Sequence, residues 1–160
     1  MKAIEVLRAY RCPGYQDYPA ISLYKDQVVT FLNEAVAPFY PGESSPVTAA
    51  MINNYVKLKV ISPPVRKKYD REQVVSLYVL FLLKQVLSME EIRKLLQREF
   101  ARQELEVSYK YFKHGLERAL SSLPSPALMT ETQGERPLLE AAIGSFVCRQ
   151  CVSLLLREER

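Results

Sequence analysis

The run Val74–Leu83 constrains the fold more than any other segment, because its residues are apolar apart from Ser76 and the Tyr78 hydroxyl. A helix that is apolar around its whole circumference has to be buried on all sides. Asp70 with Gln73 three residues later has the pattern of a capping box, which predicts that the helix begins here. The run is far shorter than the roughly 20 residues of a membrane span. We therefore expect a globular protein, not a membrane protein, with this helix at the centre of its core.

Apolar residues spaced three and four apart predict further helices on both sides of this one. The preceding helices cover residues 23–37 and, after a proline-rich loop and an N-cap at Thr48, about 49–58. The pair Pro63-Pro64 forbids continuation of the second helix, so residues 61–69 are expected to be extended. Later helices are predicted from a second capping box, Ser88 with Glu91, to Phe100, from Leu105 to Leu123, and from Leu138 to about Arg157.

Composition and cysteine usage limit the class of protein. With 48% hydrophobic and 25% charged residues over 160 positions, the chain suits one globular domain with a real core. Residues 1–11 are charged throughout and show no secretory signal. Three cysteines, an odd number, cannot form a disulfide framework and fit a reducing compartment, so we expect a cytoplasmic protein.

Positive charge is concentrated in the middle of the chain. Ten basic and four acidic residues lie between Ser44 and Arg98, a net of +6, which leaves −2 for the rest because the whole chain carries +4. This distribution indicates a polyanionic partner for the middle segment. It is also compatible with an ordinary solvated surface.

The helix over residues 49–58 has two different faces. Met51, Ile52, Tyr55 and Val56 fall on one side of the helical wheel, whereas the other side carries Ala50, Asn53, Asn54 and Lys57. Asn can pair bidentately with adenine, and Lys neutralises phosphate or reaches guanine. The second face is therefore a candidate for DNA contacts. A solvent-exposed helix face that binds nothing could carry the same residues.

Three consecutive cations follow the double proline. The segment Arg66-Lys67-Lys68 with Tyr69 lies on the expected extended turn directly after the helix. Cations on such a turn can lie along a sugar-phosphate backbone and release condensed counterions, while an aromatic ring can rest against a sugar. The order of elements favours this interpretation more than the three cations alone.

These motifs, in this order, resemble a known family. Met51–Ile61 (MINNYVKLKVI), Tyr69 and Ser88–Ile92 are similar to the recognition helix, wing and following helix of MerR-type regulators. The closer resemblance is to a bacterial family, domain of unknown function 1836, which looks like a divergent branch of that winged-helix group. Its recurring phrases are found here at Leu23–Gln27, Met51–Lys57, Lys67–Tyr69 and Lys84–Leu87, and the resemblance covers about residues 19–112.

The resemblance implies an all-α, MerR-like winged helix-turn-helix with additional C-terminal helices. Its parts would be an N-terminal extension (1–20), a DNA-binding domain (21–100) with recognition helix 49–58 and wing 63–69, and a C-terminal helical region (101–160). It implies contacts to double-stranded DNA from Asn53, where MerR-type proteins usually have Arg, from Asn54 and Tyr55, and from Lys67 and Tyr69. Together with the residues argued above, the expected DNA-binding set is Ala50, Asn53, Asn54, Tyr55, Lys57, Arg66, Lys67, Lys68 and Tyr69.

Two departures from the MerR-type pattern bear on how the protein would dock. Lys59 stands where MerR-type proteins have a helix-ending Gly, and the first loop is longer. The resemblance also implies a homodimer paired through C-terminal helices, and the helix 138–157 has an apolar surface wider than a single core-facing stripe. The alternative is that this helix packs wholly within its own domain.

There is little evidence in the sequence for metal binding, redox chemistry or catalysis. Cys148 and Cys151 have the spacing of half a zinc site without a second pair, and they fit core residues or a redox-sensing pair as well. The lone histidine, His114, is expected to be exposed. We expect no metal, no cofactor and no enzymatic activity, and nothing identifies a small-molecule effector. The function expected is a DNA-binding transcription regulator; the alternative is a protein–protein interaction module on the same scaffold.

Overall fold

The computed structural model describes residues 2–100, 105–123 and 137–156, and most of these residues are helical. This confirms the predicted all-α class. The elements in chain order are α1 Lys2–Ala9, β1 Leu23–Tyr24, α2 Lys25–Val36, α3 Ala49–Lys57, β2 Lys68–Tyr69, α4 Arg71–Leu83, α5 Met89–Leu95, α6 Leu105–Ser121 and α7 Pro137–Leu155. A π-helical turn, Leu96–Phe100, continues α5. No helix in the described part of the chain is long and apolar enough to cross a membrane.

Helix α4 is at the centre of the core, as its composition predicted. The capping box at its start is confirmed: Asp70 Oδ1 accepts from the Gln73 N–H at 2.8 Å, and Gln73 Oε1 accepts from the Asp70 N–H at 2.9 Å. Eight of its 13 residues are buried. Each large apolar side chain buried in this way contributes about 1.5–3 kcal/mol, so α4 supplies much of the driving force for folding.

The neighbouring helices turn apolar stripes toward α4. The buried residues of these stripes are Val28, Leu32 and Val36 on α2, Ile52 and Tyr55 on α3, and Ile92 on α5, all within one core cluster. The predicted N-caps of α3 and α5 are also confirmed: Thr48 Oγ1 accepts from Met51 N–H, and Ser88 Oγ accepts from Glu91 N–H. Local sequence signals therefore set where these helices begin.

The extended segment after α3 forms a β-hairpin, which we call the hairpin and define as Val65–Lys68. Val65 and Lys68 exchange two backbone hydrogen bonds of 3.0 Å each. Strand β2 continues from the hairpin and pairs antiparallel with β1, with Leu23 opposite Tyr69 and Tyr24 opposite Lys68. The hairpin is thereby attached to the residues that lead into α2.

Residues 10–18, which the sequence assigned to an N-terminal extension, contribute side chains to the core. Tyr10 Oη donates to the Ala35 carbonyl at 2.7 Å and accepts from Tyr78 Oη at 2.8 Å. Burial raises the pKa of Tyr10 to about 12. A second pair, Tyr18 and Tyr109, joins the same region to α6 through hydroxyls 2.8 Å apart. Helix α1 was not predicted, because the sequence interpretation began its first helix after Pro19.

Glu117 on α6 fixes the backbone of Cys12. Its Oε1 accepts from the Cys12 N–H at 2.8 Å and from Lys113 Nζ at 2.6 Å. Burial alone would raise the pKa of Glu117, but the hydrogen bonds from Lys113 and Cys12 outweigh it and hold that pKa below its usual value. Helix α6 is thus tied to the N-terminal residues through one carboxylate.

We expect this carboxylate to make the fold sensitive to acid. A carboxyl whose pKa is lowered by folding stabilises the protein above its unfolded pKa, and that stability is lost as the pH falls through the folded pKa, below about pH 4.5. Glu117→Gln should therefore lower the free energy of unfolding at pH 7 and reduce its decline between about pH 5 and pH 3. Chemical denaturation at a series of pH values measures both effects.

Glu34→Gln is the matched control, because Glu34 is exposed and the substitution changes the charge by the same amount. It should leave the acid dependence as in the wild type. An identical pH profile for the two variants would contradict the role assigned to Glu117.

Candidate nucleic-acid interface

Helix α3 divides into the two faces that its sequence predicted. Ile52 and Tyr55 are buried in the core, whereas Ala50, Asn53, Asn54 and Lys57 are all exposed. The exposed face offers two carboxamides and one ammonium group to solvent. Since the opposite face is held against α4, these polar groups are presented from a fixed helix.

The entry to α3 is held by an amide on α2. Asn33 Nδ2 donates to the Val47 carbonyl at 2.9 Å, and Asn33 Oδ1 accepts from the Val47 N–H at 2.9 Å. This double hydrogen bond satisfies both backbone groups of a residue in the loop that the sequence predicted. It fixes where the loop ends, and so where α3 begins.

The exit from α3 is a complete Schellman motif. The Val60 N–H bonds to the Tyr55 carbonyl and the Lys59 N–H to the Val56 carbonyl, each at 3.0 Å. Lys59 occupies the left-handed position of the motif, with φ of 58°. Lys59 therefore adopts a conformation that Gly adopts without steric cost, and for a residue with a Cβ this costs roughly 1–2 kcal/mol.

The tip of the hairpin is also in left-handed backbone. Arg66 and Lys67 have φ of 50° and 65°, the two positive values that define a type I′ turn. Such turns strongly prefer Asn-Gly, Asp-Gly or Gly-Gly. Two long basic side chains therefore occupy a turn whose backbone conformation disfavours them.

Side-chain contacts through Lys25 and Tyr24 connect α3 to the hairpin. Lys25, the first residue of α2, donates from Nζ to Asn53 Oδ1 at 2.5 Å. Its neighbour Tyr24 is half exposed and lies under the Lys68 ammonium, which is 4.8 Å from the ring centroid. Lys68 in turn pairs with Val65 at the base of the tip. We call this continuous area the basic surface; it consists of Tyr24, Lys25, Ala50, Asn53, Asn54, Lys57, Arg66, Lys67 and Lys68.

The cations of the basic surface differ from those on α5 and α6 in their ion pairing. Among the residues described, no ion pair of 4.0 Å or less involves the five cations Lys25, Lys57, Arg66, Lys67 and Lys68. By contrast, four cations on α5 and α6, which are Arg93, Lys94, Lys110 and Lys113, are each paired with a glutamate. The positive potential of the basic surface is therefore not neutralised locally.

Two aromatic residues of the predicted DNA-binding set belong to the core instead. Tyr55 is 6% exposed, and its ring lies edge-on to Phe81 with centroids 5.5 Å apart. Tyr69 is 1% exposed and is paired with Leu23 in the sheet. Burial leaves neither ring a surface for a sugar or a base, so their assignment as DNA contacts is corrected.

The sequence interpretation missed two members of the basic surface, Tyr24 and Lys25. Both lie in the phrase Leu23–Gln27, which had been noted only for its resemblance to the family. The separation of 28 positions between Lys25 and Asn53 concealed their hydrogen bond. The recurring phrase was the one feature of the sequence that could have pointed to these two positions as part of the basic surface.

The other chemical candidates stay apart from this surface. His114 is exposed, as expected, and Cys148 is exposed while Cys12 is buried. The side chain of Cys151 lies outside the described residues. Among the residues described, no three His, Cys, Asp or Glu side chains are grouped so as to hold a metal ion.

The fold and the surface together define a helical protein that presents one helix and a β-hairpin as a single basic face. A family profile described as "Domain of unknown function (DUF1836)" matches residues 13–112, which is more than half of the chain. The protein belongs to the DUF1836 family. Searches of curated proteins and of solved structures found no match.

The strained end of α3 leads to a prediction about stability. Lys59→Gly should raise the free energy of unfolding by about 0.5–1 kcal/mol, because Gly adopts positive φ without steric cost. Lys57→Gly, which removes the same charge from the last helical position of α3, should lower it by up to about 1 kcal/mol. Thermal or urea denaturation of the two variants measures the difference. If both variants were less stable than the wild type, the left-handed conformation of Lys59 would not be a source of strain in solution.

Proposed function

We propose that the protein is a DNA-binding regulator that uses α3 as a recognition helix and the hairpin as a wing, in a MerR-like winged helix-turn-helix. The observation that carries this proposal is the basic surface, where an exposed face of carboxamides adjoins five cations that form no ion pair with any carboxylate in the described part of the chain. Phosphates attract cations, and base edges can pair with carboxamides. In this proposal the protein binds double-stranded DNA and is not an enzyme.

Helix α3 would supply the sequence-reading contacts. Asn53 and Asn54 are exposed on the side away from the core, where a carboxamide can pair with adenine N6 and N7 in the major groove. Lys57, one turn further along the same face, can reach a phosphate or a guanine. Lys25 holds Asn53 Oδ1 and so orients that amide before DNA arrives.

The hairpin would supply contacts to the sugar-phosphate backbone. Its tip presents Arg66 and Lys67, which are both exposed and follow one another in the type I′ turn. Counterion release at such contacts gives affinity without sequence preference. The backbone strain at the tip supports this role, because a turn selected for stability would carry Asn-Gly.

A double substitution at the tip should move stability and DNA affinity in opposite directions. Arg66→Asn with Lys67→Gly relieves the turn and should raise the melting temperature. The same change removes two phosphate contacts, so the slope of log affinity against log salt should become shallower by about two units. Binding titrations at several salt concentrations, on specific sites selected from random DNA and on unrelated duplexes, measure this effect.

Two comparisons make the test specific. Lys94→Ala with Lys110→Ala removes two cations from α5 and α6 and should leave the salt slope unchanged. Asn53→Ala removes no charge and should weaken selected sites by about 1–3 kcal/mol while leaving unrelated DNA unaffected. If the tip and control variants bind alike, the hairpin has no contact with DNA. If the wild type binds no DNA, the alternative of a protein–protein interaction module takes its place.

We further propose that the protein binds DNA as a homodimer formed through the first half of α7. The second half of α7 is attached to its own chain, since Arg149 pairs with Glu91 at 2.8 Å and Val152 packs against the core. Residues 141–148 are all exposed, and none of them is charged. Ile143, Phe146 and Val147 are between 51% and 64% exposed. An apolar helix surface of this kind favours association, and a second copy offers the same uncharged surface.

A charge placed on this surface should separate the dimer. Phe146→Asp should convert a dimer to a monomer at micromolar concentration, because an unpaired carboxylate would be buried in the interface. Ser45→Asp, which adds the same charge at an exposed position in the loop before α3, is the control and should stay dimeric. Sedimentation or light scattering gives the mass. A monomeric wild type would contradict the proposal.

A further inference from the structure

We infer that Gln73 is a positioning residue for the hairpin, holding it in the orientation that DNA binding requires; this inference rests on the proposed function. Gln73 is 7% exposed and lies in the first turn of α4. Its Nε2 donates to the Ser62 carbonyl at 2.9 Å, the Pro63 carbonyl at 3.0 Å and Ser62 Oγ at 3.1 Å. Its Oε1 accepts from the Asp70 N–H at 2.9 Å.

One amide therefore binds the chain on both sides of the hairpin. Ser62 and Pro63 precede Val65, and Asp70 follows Tyr69 directly. The amide of this one side chain therefore bridges the residues that enter the hairpin and the residue that leaves it. Because that side chain begins on α4, most of whose residues are buried, the hairpin is held in place relative to the central helix of the core.

The double proline explains why a side-chain donor is needed here. Pro63 and Pro64 have no N–H, so this stretch of backbone has almost no donors with which to hold itself in place. It does have carbonyl groups, and these can be fixed only by a donor from elsewhere. The two N–H bonds of the Gln73 amide are well suited to this, since a carboxylate at the same position could accept but not donate.

Two variants separate this role from the capping of α4. Gln73→Met keeps the length and neutrality of the side chain and removes the four hydrogen bonds of its amide. The exchange Glu72→Gln with Gln73→Glu keeps the net charge and keeps an acceptor for the Asp70 N–H, but removes the donors to Ser62 and Pro63. If the donors position the hairpin, both variants should release it, although the exchange retains the helix cap.

Hydrogen exchange reports the hairpin without reference to DNA. The Val65 and Lys68 amides both donate within the hairpin, and in both variants they should exchange about tenfold faster or more, as expected for the loss of the hydrogen bonds that Gln73 Nε2 donates. The Ile92 amide of α5, which donates to the Ser88 carbonyl, is the internal reference. DNA titrations should show weaker affinity and a shallower salt slope in the same variants.

Val79→Ala controls for a general loss of stability, because Val79 is fully buried on the same helix and is not part of the hairpin. It should destabilise the protein but leave both the salt slope and the exchange at Val65 and Lys68, relative to Ile92, unchanged. Unaltered hairpin exchange in the two Gln73 variants would overturn the inference. Faster exchange with unaltered DNA affinity would overturn its functional part. If the wild type binds no DNA, the proposed function fails, and the exchange rates alone decide whether Gln73 positions the hairpin.

Discussion

Burial of α4 on all sides determines where the rest of the chain can lie. A helix without a polar face is stable in water only when other elements cover it in every direction, and α2, α3 and α5 do so with their apolar stripes. The same requirement fixes the exposed face of α3, since turning that helix would withdraw Ile52 and Tyr55 from the core. The position of the basic surface is thus a consequence of how the core is filled.

The sheet is too small to organise the basic surface. Its strands have two residues each, and so short a ladder provides little stability of its own. Side-chain amides fill this role: Asn33 fixes the loop before α3, and Gln73 fixes the chain around the hairpin. Both amides bond to backbone groups, so the geometry of the surface depends on residues that are not part of it.

Features set by neighbouring residues were predictable from the sequence. The caps at Thr48, Asp70 and Ser88 depend on side chains within three positions of the groups they satisfy. The two faces of α3 follow from helical periodicity, and the extended basic segment from the double proline. For these features local rules were sufficient, because no distant contact competes with them.

Features set by distant contacts were not predictable in this way. Tyr69 follows three cations in the sequence, and only its pairing with Leu23 shows that it is buried. Periodicity placed Tyr55 on the apolar side of α3, whereas the family resemblance implied a DNA contact, and the packing of Tyr55 against Phe81 agrees with the periodicity. Lys25 joins the basic surface through a residue 28 positions away. Tyr10 enters the core through Tyr78, 68 positions along the chain. Periodicity and spacing carry no information about such pairs.

The tyrosine and glutamate contacts of the N-terminal residues mean that the region shared by the family and the unit that folds are not the same. The family match covers residues 13–112, whereas Tyr10, Cys12 and Glu117 lie just beyond its two ends. A chain trimmed to the matched region would leave the Tyr78 hydroxyl without Tyr10 and expose the core along α6. Boundaries for expressing this protein, or for grafting its basic surface onto another scaffold, are therefore better drawn around these contacts than around sequence similarity.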